Sequence, residues 1–338
     1  MKIVVSKGGL GNQIYQYIFL RYLEEVTKDN ALFDDTFFFR GIIHHQGYEL
    51  ERAFGIKLKR LSEYFNAQEW EEIVRATTLE RKLPMFSLLQ QIGVIRHGAL
   101  LFSEEDEVAY DTCIGYEKPY TGNYIKIPYA FFTDEVGKIQ GDVYYDGYWT
   151  NISWFDPIQD TIRKELTFVP IKDDNKYLAE KILNGNSVAV HVRRGDYLAL
   201  GWDLGMEYYV DAVTSMKEHV EDPVFFIFSD DLAFCNERLN EMGLYKGKDK
   251  IILVDGNTGI NSFRDMQLMS LCKNMILANS TFSVTAAMLN QNPNKYIVES
   301  SNMNAPPYVG GNFSKAGKHE KNRKGIEGGR GGQLWPKY

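Results

Sequence analysis

The sequence predicts an α/β protein built on parallel β-sheets. Short runs rich in β-branched and aromatic residues recur in its second half, at 188–192, 224–228, 251–254, 275–278 and 296–298. The gaps of roughly 15–35 residues are mostly too long for hairpins, and several carry apolar residues at helical spacing. The clearest series is Met206, Val210, Val213, Met216 and Val220. Alternating strands and helices favour a parallel sheet with helices on both faces, whose ligands bind beyond the strands' carboxyl ends.

The first half of the chain begins with a strand at 3–5, a glycine turn and a helix with one apolar face. That face carries Ile14, Tyr17, Ile18, Tyr22 and Val26. Residues 60–110 are predicted to be helical and amphipathic, and the order of further strands is not predicted. The length of 338 residues favours two domains. We expect a first domain over 1–165, a second domain over 166–308 and a flexible tail over 309–338.

Composition excludes several classes of protein. No run of 18 apolar residues is present, so no membrane-spanning helix is expected. The N-terminus leads directly into a strand and leaves no room for a signal peptide. The cysteines, Cys113, Cys235 and Cys272, lack a C-x-x-C spacing, which predicts buried, reduced thiols and a cytoplasmic protein. The net charge of −7 argues against a nucleic-acid partner.

The charge is distributed unevenly along the chain. From Val309 onward it carries +5, so residues 1–308 carry −12. This tail is rich in glycine and has no apolar periodicity before Leu334, so we expect no secondary structure in it. One hypothesis is that the tail associates peripherally with an anionic membrane. A solvated tail with no partner is the open alternative.

The most informative segment is Ser187–Tyr197, which reads SVAVHVRRGDY. Strand alternation places His191 and Arg193 on the same side at the end of a strand. Two arginines there suit a diphosphate, because guanidinium groups form bidentate hydrogen bonds with phosphate oxygens. Ion pairs with surface carboxylates would explain these two arginines equally well. Reading 194–196 as an adhesion tripeptide would require an extracellular protein.

Three further segments follow strands or turns. Residues 278–283 (ANSTFS) precede a helix whose N-terminus could bind an anion, although Ser283 could simply cap that helix. Asp230 and Asp231 end another strand, where they could bind a metal ion, accept hydrogen bonds from a base or ribose, or cap a helix. The turn at 8–13 (GGLGNQ) is neither a dinucleotide fingerprint nor a phosphate loop of the Walker type. It indicates only that a backbone or a ligand approaches closely.

Taken together, these segments resemble those of the bacterial α-1,2-fucosyltransferases and, more loosely, the α-1,6- and protein O-fucosyltransferases. The resemblance extends over residues 1–290 in order and approximate spacing, and it includes Asp265–Cys272 before the 278–283 segment. It implies a GT-B-like α/β fold, with two Rossmann-type domains whose parallel sheets face a cleft. It also implies that the C-terminal half holds most of the donor, GDP-fucose.

The resemblance also implies roles for individual residues. Arg193 would bind the donor's β-phosphate, with His191 beside it, as the catalytic residues. The donor-binding residues implied are Gly11, Asn12, Arg194, Asp230, Asp231, Ser280, Thr281 and Ser283. Among these, Asp231 with Asp230 would recognise guanine, the 280–283 segment would contact phosphate, and Asn12 would face the donor from the N-terminal domain.

The reaction implied is an inverting transfer of fucose to the 2-hydroxyl of a terminal galactose, with no metal or other cofactor. The resemblance breaks at 284–288, where Val-Thr-Ala-Ala-Met replaces the family's Trp-Trp-Gly-Ala-Trp. No general base is identified, although Asp196, Asp203 and Glu207 follow the arginine strand. Three alternatives stay open: another linkage or GDP-sugar, a metal-dependent transferase, and a non-catalytic glycan- or nucleotide-binding protein.

Overall fold

The structure is a computed structural model, and it describes residues 1–40, 45–77, 84–104, 124–127, 129–172, 174–300 and 318–321. The strands are β1 (Lys2–Val5), β2 (Ala31–Asp34), β3 (Leu100–Glu104), β4 (Tyr124–Ile127), β5 (Val143–Asp146), β6 (Asn186–Val192), β7 (Pro223–Ser229), β8 (Lys250–Leu253), β9 (Asn274–Ile276), β10 (Tyr296–Glu299) and β11 (Lys318–Lys321). The α-helices are α1 (Leu10–Thr27), α2 (Leu50–Phe54), α3 (Ala67–Ala76), α4 (Met85–Gln91), α5 (Gln159–Glu165), α6 (Asp174–Asn184), α7 (Gly195–Leu200), α8 (Met206–His219), α9 (Leu232–Arg238), α10 (Phe263–Leu271) and α11 (Thr281–Leu289).

The first sheet contains five parallel strands in the order β2-β1-β5-β3-β4. The strand predicted at 3–5 and the helix after it are confirmed as β1 and α1. The prediction that residues 60–110 are helical is wrong for 100–104, which form β3. Leu101 and Phe102 point alternately into two different apolar clusters, so this segment follows the period of two of a strand buried on both faces.

The second sheet contains six parallel strands in the order β11-β10-β9-β6-β7-β8. All five strands predicted in the second half are present, as β6 to β10. Along β6, Val188 and Val190 pack into one apolar cluster with α8, while Ala189 lies in the cluster that contains α10 and α11. Helices therefore cover both faces of the sheet, as the alternation predicts.

The tail is partly structured. Lys318–Lys321 forms β11, which pairs in parallel with β10 at the edge of the second sheet. Our prediction that 309–338 has no secondary structure is therefore wrong for these four residues. The rest of the tail, and with it the proposed partner of the basic residues, lies outside the described residues.

The two sheets are joined by a shared core and by a short connection. One apolar cluster includes Phe19 and Trp149 on the first side and Met269 and Val284 on the second. Glu165, at the end of α5, accepts hydrogen bonds from Tyr17 and Arg21 of α1. The backbone carbonyl of Val169 accepts from Gln267 on α10 at 2.9 Å. A boundary between 165 and 166 stays a prediction.

Two expectations from composition can be compared with the structure. Cys235 and Cys272 are buried free thiols, as predicted, whereas Cys113 lies outside the described residues. Within the described part of the chain, every helix is too short or too polar to cross a membrane.

Candidate active site

The arginine segment and the 278–283 segment meet at the topological switch point of the second sheet. From β6 the chain continues to β7 and β8 on one side, and from β9 it continues to β10 and β11 on the other. The loops that follow β6 and β9 therefore diverge, which opens a crevice beyond the carboxyl ends of these strands. Arg193 follows β6, and Ser280 precedes α11 beyond β9.

Arg193 is held between two carboxylates. Its Nη2 atom donates to Asp196 Oδ1 at 2.6 Å, and its Nη1 atom lies 2.8 Å from Asp230 Oδ2. Its guanidinium carbon lies 5.5 Å from the centre of the Tyr197 ring. A Cβ at Gly195 would lie 2.7 Å from Asp230 Oδ2, so a side chain there would displace the carboxylate that contacts the arginine. The arginine is thereby oriented before any ligand binds.

Arg194 is fixed by a different set of contacts. Its backbone N–H donates to Asp230 Oδ1 at 2.9 Å, and its Nε donates to Asp231 Oδ2 at 3.2 Å. The guanidinium stacks over Phe234, 3.3 Å from the ring centre. Asp231 also caps α9, because its Oδ1 accepts from the Phe234 N–H at 3.1 Å. Of the three roles left open for this carboxylate pair, helix capping is thus observed for Asp231.

His191 is buried at the end of β6, with 5% of its surface exposed. Its ring centre lies 5.7 Å from that of Phe282. Burial, and to a lesser degree the charge of Arg193, lowers the pKa of His191 from 6.5 to about 3. Its Nδ1 atom has no hydrogen-bond partner among the described residues. The imidazole is therefore neutral near pH 7.

The loop between β9 and α11 uses its hydroxyls for its own structure. Ser280 is the N-cap of α11, and its Oγ accepts from the Phe282 N–H at 3.3 Å. Ser283 is fully buried and bonds the carbonyl oxygens of Ala278 and Ser280 at 3.2 and 3.3 Å. The alternative that Ser283 caps the helix is therefore wrong, because Ser280 does. The Phe282 N–H is thus already bonded, and α11 begins just beyond β9, where the dipole of a helix N-terminus favours an anion.

The glycine turn of the first domain touches this loop directly. A Cβ at Gly11 would lie 2.6 Å from the backbone carbonyl carbon of Thr281, so the two helices α1 and α11 meet through a glycine. Asn12 Oδ1 accepts from Thr281 Oγ1 at 2.9 Å. At this turn, the close approach that the sequence indicates is thus made by the backbone at the start of α11. Because α1 begins at the carboxyl edge of the first sheet, the carboxyl edges of both sheets meet here.

The charges of the site nearly cancel in this arrangement. Arg193 and Arg194 contact three carboxylates, those of Asp196, Asp230 and Asp231. Two cationic side chains thus face three anionic ones. Among the described residues, no group of three or more His, Cys, Asp and Glu side chains is arranged to hold a metal ion.

Comparison with known proteins identifies the family. Residues 120–319, more than half of the chain, match the model of glycosyl transferase family 11. The chain belongs to this family. An α-1,2-colitosyltransferase of Escherichia coli is 31% identical over 302 residues, which cover 86% of this chain and 88% of the relative. A galactoside α-(1,2)-fucosyltransferase 2 of Gorilla gorilla gorilla is 26% identical over 172 residues, covering 46% and 48% of the two chains.

The fold of this family 11 chain also resembles that of a solved fucosyltransferase. The crystal structure of the α-1,6-fucosyltransferase NodZ, soaked with GDP-fucose, aligns with a TM-score of 0.51. The alignment covers 90% of this chain and 96% of NodZ at 14% sequence identity, so it informs on fold alone. The GT-B-like fold with two parallel sheets, and the resemblance to α-1,2-fucosyltransferases, are both confirmed.

The structure brings the sequence-predicted residues of the family 11 site into one region and shows contacts that several of them make with one another. Asp230 and Asp231 bond the arginines, and Asn12 bonds Thr281. Sequence reasoning missed Phe234, whose ring carries Arg194, and Asn279, whose buried Oδ1 has no partner among the described residues. Phe234 comes three residues after Asp231, about one helical turn, and this spacing could have indicated that Phe234 belongs to the site. The donor contacts themselves stay predictions.

Proposed function

We propose that this family 11 chain is a galactoside α-1,2-fucosyltransferase. It transfers L-fucose from GDP-fucose to the 2-hydroxyl of a terminal galactose, with inversion at the anomeric carbon. The observation that carries the proposal is the position of Arg193. This arginine follows β6 at the switch point of the second sheet, and α11 follows β9 on the other side of that point, in a chain of a glycosyltransferase family. The galactoside α-(1,2)-fucosyltransferase among its relatives supports the acceptor and the linkage.

The reaction exchanges one bond to the anomeric carbon for another. The bond between that carbon and the β-phosphate oxygen breaks, and GDP leaves with the electron pair. The acceptor hydroxyl oxygen forms the new bond from the opposite face and loses its proton. Negative charge develops on the β-phosphate, where Arg193 and the N–H groups of α11 stabilise it. Because Asp196 and Asp230 already orient the guanidinium, little reorganisation is needed as the charge grows.

His191 contributes to this site as a neutral group. Its depressed pKa keeps it uncharged through the physiological range, so it adds no positive charge next to the phosphate. The ring packs beside Phe282 and lines the wall between β6 and α11. Its unpartnered Nδ1 leaves one ring nitrogen available for a ligand or a water molecule.

The proposal includes metal independence. Asp230 and Asp231, the carboxylate pair considered above as metal ligands, each bond an arginine. A metal ion at this pair would have to displace both arginines. We infer that the arginines and the helix N-terminus carry the counter-charge of the diphosphate.

The proposal is tested by product analysis. The protein is incubated with GDP-fucose and lactose or a related β-galactoside, and the linkage of the product is assigned by NMR. An α-fucoside on the 2-hydroxyl of galactose is expected. A fucoside linked elsewhere overturns the linkage and keeps the donor, whereas turnover of a different sugar nucleotide alone overturns the donor.

A second candidate donor is the GDP derivative of colitose. The observation that favours it is the 31% identical relative, an α-1,2-colitosyltransferase that aligns over most of both chains. The same site and the same mechanism would serve either sugar. Measuring kcat/KM for the two donors side by side with one β-galactoside distinguishes them.

We further propose that the basic tail holds the protein at an anionic membrane surface on its cytoplasmic face. Support comes from the contrast between +5 from residue 309 onward and −12 in the rest of the chain. Each basic residue near such a surface adds about 1 kcal/mol of attraction. Replacing the Lys and Arg residues of 322–338 with Ser should abolish salt-sensitive binding to vesicles that contain phosphatidylserine. Unchanged vesicle binding by this variant would contradict the idea.

A further inference from the structure

The first sheet has a switch point of its own, and a carboxylate stands in it. The chain leaves β1 towards β2 on one side and leaves β3 towards β4 on the other, with β5 between them. The crevice between the diverging loops therefore opens above the carboxyl end of β5. Asp146 is the last residue of β5, and it lies opposite Ser103 of β3.

Asp146 is positioned by a buried lysine. Lys7 follows β1, and its Nζ atom donates to Asp146 Oδ1 at 3.1 Å. The Lys7 side chain is 10% exposed, whereas that of Asp146 is 37% exposed. No described residue donates a hydrogen bond to Asp146 Oδ2. One carboxylate oxygen is thus fixed by the protein, and the other is available to a ligand in the crevice.

Aromatic rings lie next to this ion pair. The ammonium of Lys7 lies 4.6 Å from the centre of the Tyr148 ring, and the rings of Tyr148 and Tyr129 are 6.2 Å apart. Both tyrosines are partly exposed. A carboxylate can accept hydrogen bonds from sugar hydroxyls, and aromatic rings can cover the C–H faces of a sugar ring. A few polar groups among aromatic side chains are typical of sites that bind small ligands.

The loop that carries Tyr148 is rigidly built on Glu104, the last residue of β3. The Glu104 carboxylate accepts from the N–H groups of Tyr148, Trp149 and Ala130 at 2.6, 3.0 and 3.1 Å. Trp149 and Ala130 both have left-handed backbone conformations, with φ of 58° and 53°. A Cβ at Gly147 would lie 2.7 Å from Glu104 Oε2. Strained backbone held by a buried group is typical of functional loops.

This crevice lies next to the donor loop. Both side-chain groups of Gln16 bond the backbone of Lys7, at 3.0 and 3.1 Å, which holds this residue at the start of the glycine turn. Four residues later, Gly11 meets Thr281 of the phosphate-side loop. The Lys7–Asp146 pair and the arginine pair are thus on opposite sides of one contact between the two carboxyl edges.

We propose that Asp146 is the proton acceptor for the acceptor hydroxyl, in a sugar-binding crevice formed with Lys7 and Tyr148. This inference rests on the proposed function. In an inverting displacement the hydroxyl attacks the anomeric carbon from the face opposite the leaving phosphate, so its base belongs on the wall that faces the donor. Asp146 takes the hydroxyl proton on Oδ2 while the new C–O bond forms and GDP leaves with the electron pair of the old one. Lys7 orients the carboxylate by its bond to Oδ1.

The carboxylates on the donor wall are less suited to this role. Asp196 is bound to Arg193 at 2.6 Å. Asp203 adjoins Trp202, whose carbonyl accepts from Asn279 of the phosphate-side loop, so it lies on the leaving-group side. On the opposite wall, Glu104 is occupied by three backbone donors.

Asp146→Asn tests the proposal, with Asp142→Asn as the matched control. Asp142 immediately precedes the same strand, at its other end, and it pairs with the N-terminal amine and accepts from the Arg96 N–H at 3.0 Å. Transfer is measured with the GDP-sugar that the wild-type protein turns over, so a wrong donor assignment is detected separately. Asp146→Asn should reduce turnover roughly 10²–10⁴-fold, as is usual for loss of a general base. GDP affinity, measured by calorimetry, should stay unchanged.

Asp146→Ala with added formate separates chemistry from structure. Formate can occupy the space of the missing carboxylate and accept the proton, so part of the lost turnover should return. A structural role for Asp146 gives no such rescue. Wild-type turnover in Asp146→Asn, an equal loss in Asp142→Asn, a parallel loss of GDP affinity, or the absence of rescue by formate each overturns the proposal.

Discussion

The guanidinium of Arg193 and the carboxylate of Asp230 form an ion pair of 2.8 Å across the ends of two neighbouring strands, β6 and β7. The same carboxylate accepts the backbone N–H of Arg194, so one side chain orients both arginines. The carboxylates of Asp196 and Asp230 thus hold the guanidinium of Arg193 in a fixed orientation, which is the physical basis of the first prediction.

Arg193→Ala should reduce turnover roughly 10²–10³-fold, by analogy with the loss of one donor from an oxyanion site. The alanine variant also leaves Asp196 and Asp230 without their cation, and these carboxylates would repel the diphosphate. The double variant Arg193→Ala with Asp230→Asn removes part of that repulsion and should remain slow. Arg238→Ala, which removes an exposed arginine paired with Glu241, is the control. A folded Arg193→Ala protein with normal turnover would show that Arg193 is not the phosphate ligand.

Gly11→Ala should destabilise the contact between the domains. Alanine is a better helix residue than glycine, so propensity alone would stabilise α1. The new Cβ would instead lie 2.6 Å from the Thr281 backbone, which cannot give way as a side chain would. A cost of about 1–3 kcal/mol, as for other overpacked sites, is expected in chemical denaturation.

Gly205→Ala is the matched control for this variant. Its Cβ would meet only the carboxylate end of Glu207, which can rotate away. Because alanine is less favourable than glycine at an N-cap, we expect a cost of up to about 1 kcal/mol, without overpacking. Equal stability of the two variants would mean that α1 and α11 do not meet closely in solution.

The sequence predicted the second domain more completely than the first, for a physical reason. Strands such as 188–192 are buried on both faces and read as continuous apolar runs between amphipathic helices. Residues 100–104 are equally strand-like, and Gly93 and Gly98 separate them from the helical pattern, but the prediction extended that pattern to residue 110. The strand order of the first sheet could not be predicted, because β5 lies between β1 and β3 only through pairing with strands that are distant in sequence.

Within the site, the sequence predicted which residues come together but not their partners. The strand end at Arg193 and the loop at 280–283 follow from the order of the motifs. That Asp230 would contact Arg193 depends on β6 and β7 being neighbours in register. The role of Asp146 had no local signal at all, because Lys7 and Asp146 are 139 positions apart and meet only in the folded sheet.

Activity should be complete in excess EDTA. In the proposed function the arginines and the first turn of α11 supply the counter-charge for GDP, and Asp230 and Asp231 contact arginines. The measurement is initial velocity after dialysis against EDTA, compared with samples that contain added Mn²⁺ or Mg²⁺. Loss of activity in EDTA with rescue by Mn²⁺ would contradict this and would make the carboxylate pair a metal site.

Stability should decrease as the pH rises from about 4 to 7, in part through Asp265. Burial raises the pKa of this carboxyl from 3.8 to about 7, against the opposing effect of a hydrogen bond from Asn257. Between these two pKa values the folded protein holds a proton that the unfolded chain has lost, so unfolding becomes more favourable as pH rises. In Asp265→Asn the free energy of unfolding should fall less over this range. An identical pH dependence in the variant would show that Asp265 titrates normally.

The last prediction concerns the segment at 284–287, where this chain has Val-Thr-Ala-Ala in place of the aromatic pattern of α-1,2-fucosyltransferases. Val284, Ala286 and Ala287 are fully buried, and α11 packs between α1 and α10. This core is already filled by small side chains, so restoring an aromatic residue by Val284→Trp should overpack it and lower stability by about 1–3 kcal/mol or more. Val284→Ile, which adds a single methylene, should cost less. A Val284→Trp protein that is as stable as the wild type and more active would contradict this prediction. It would show that the small residues at 284–287 remove part of a ligand-binding surface, and that they do not belong to a repacked core.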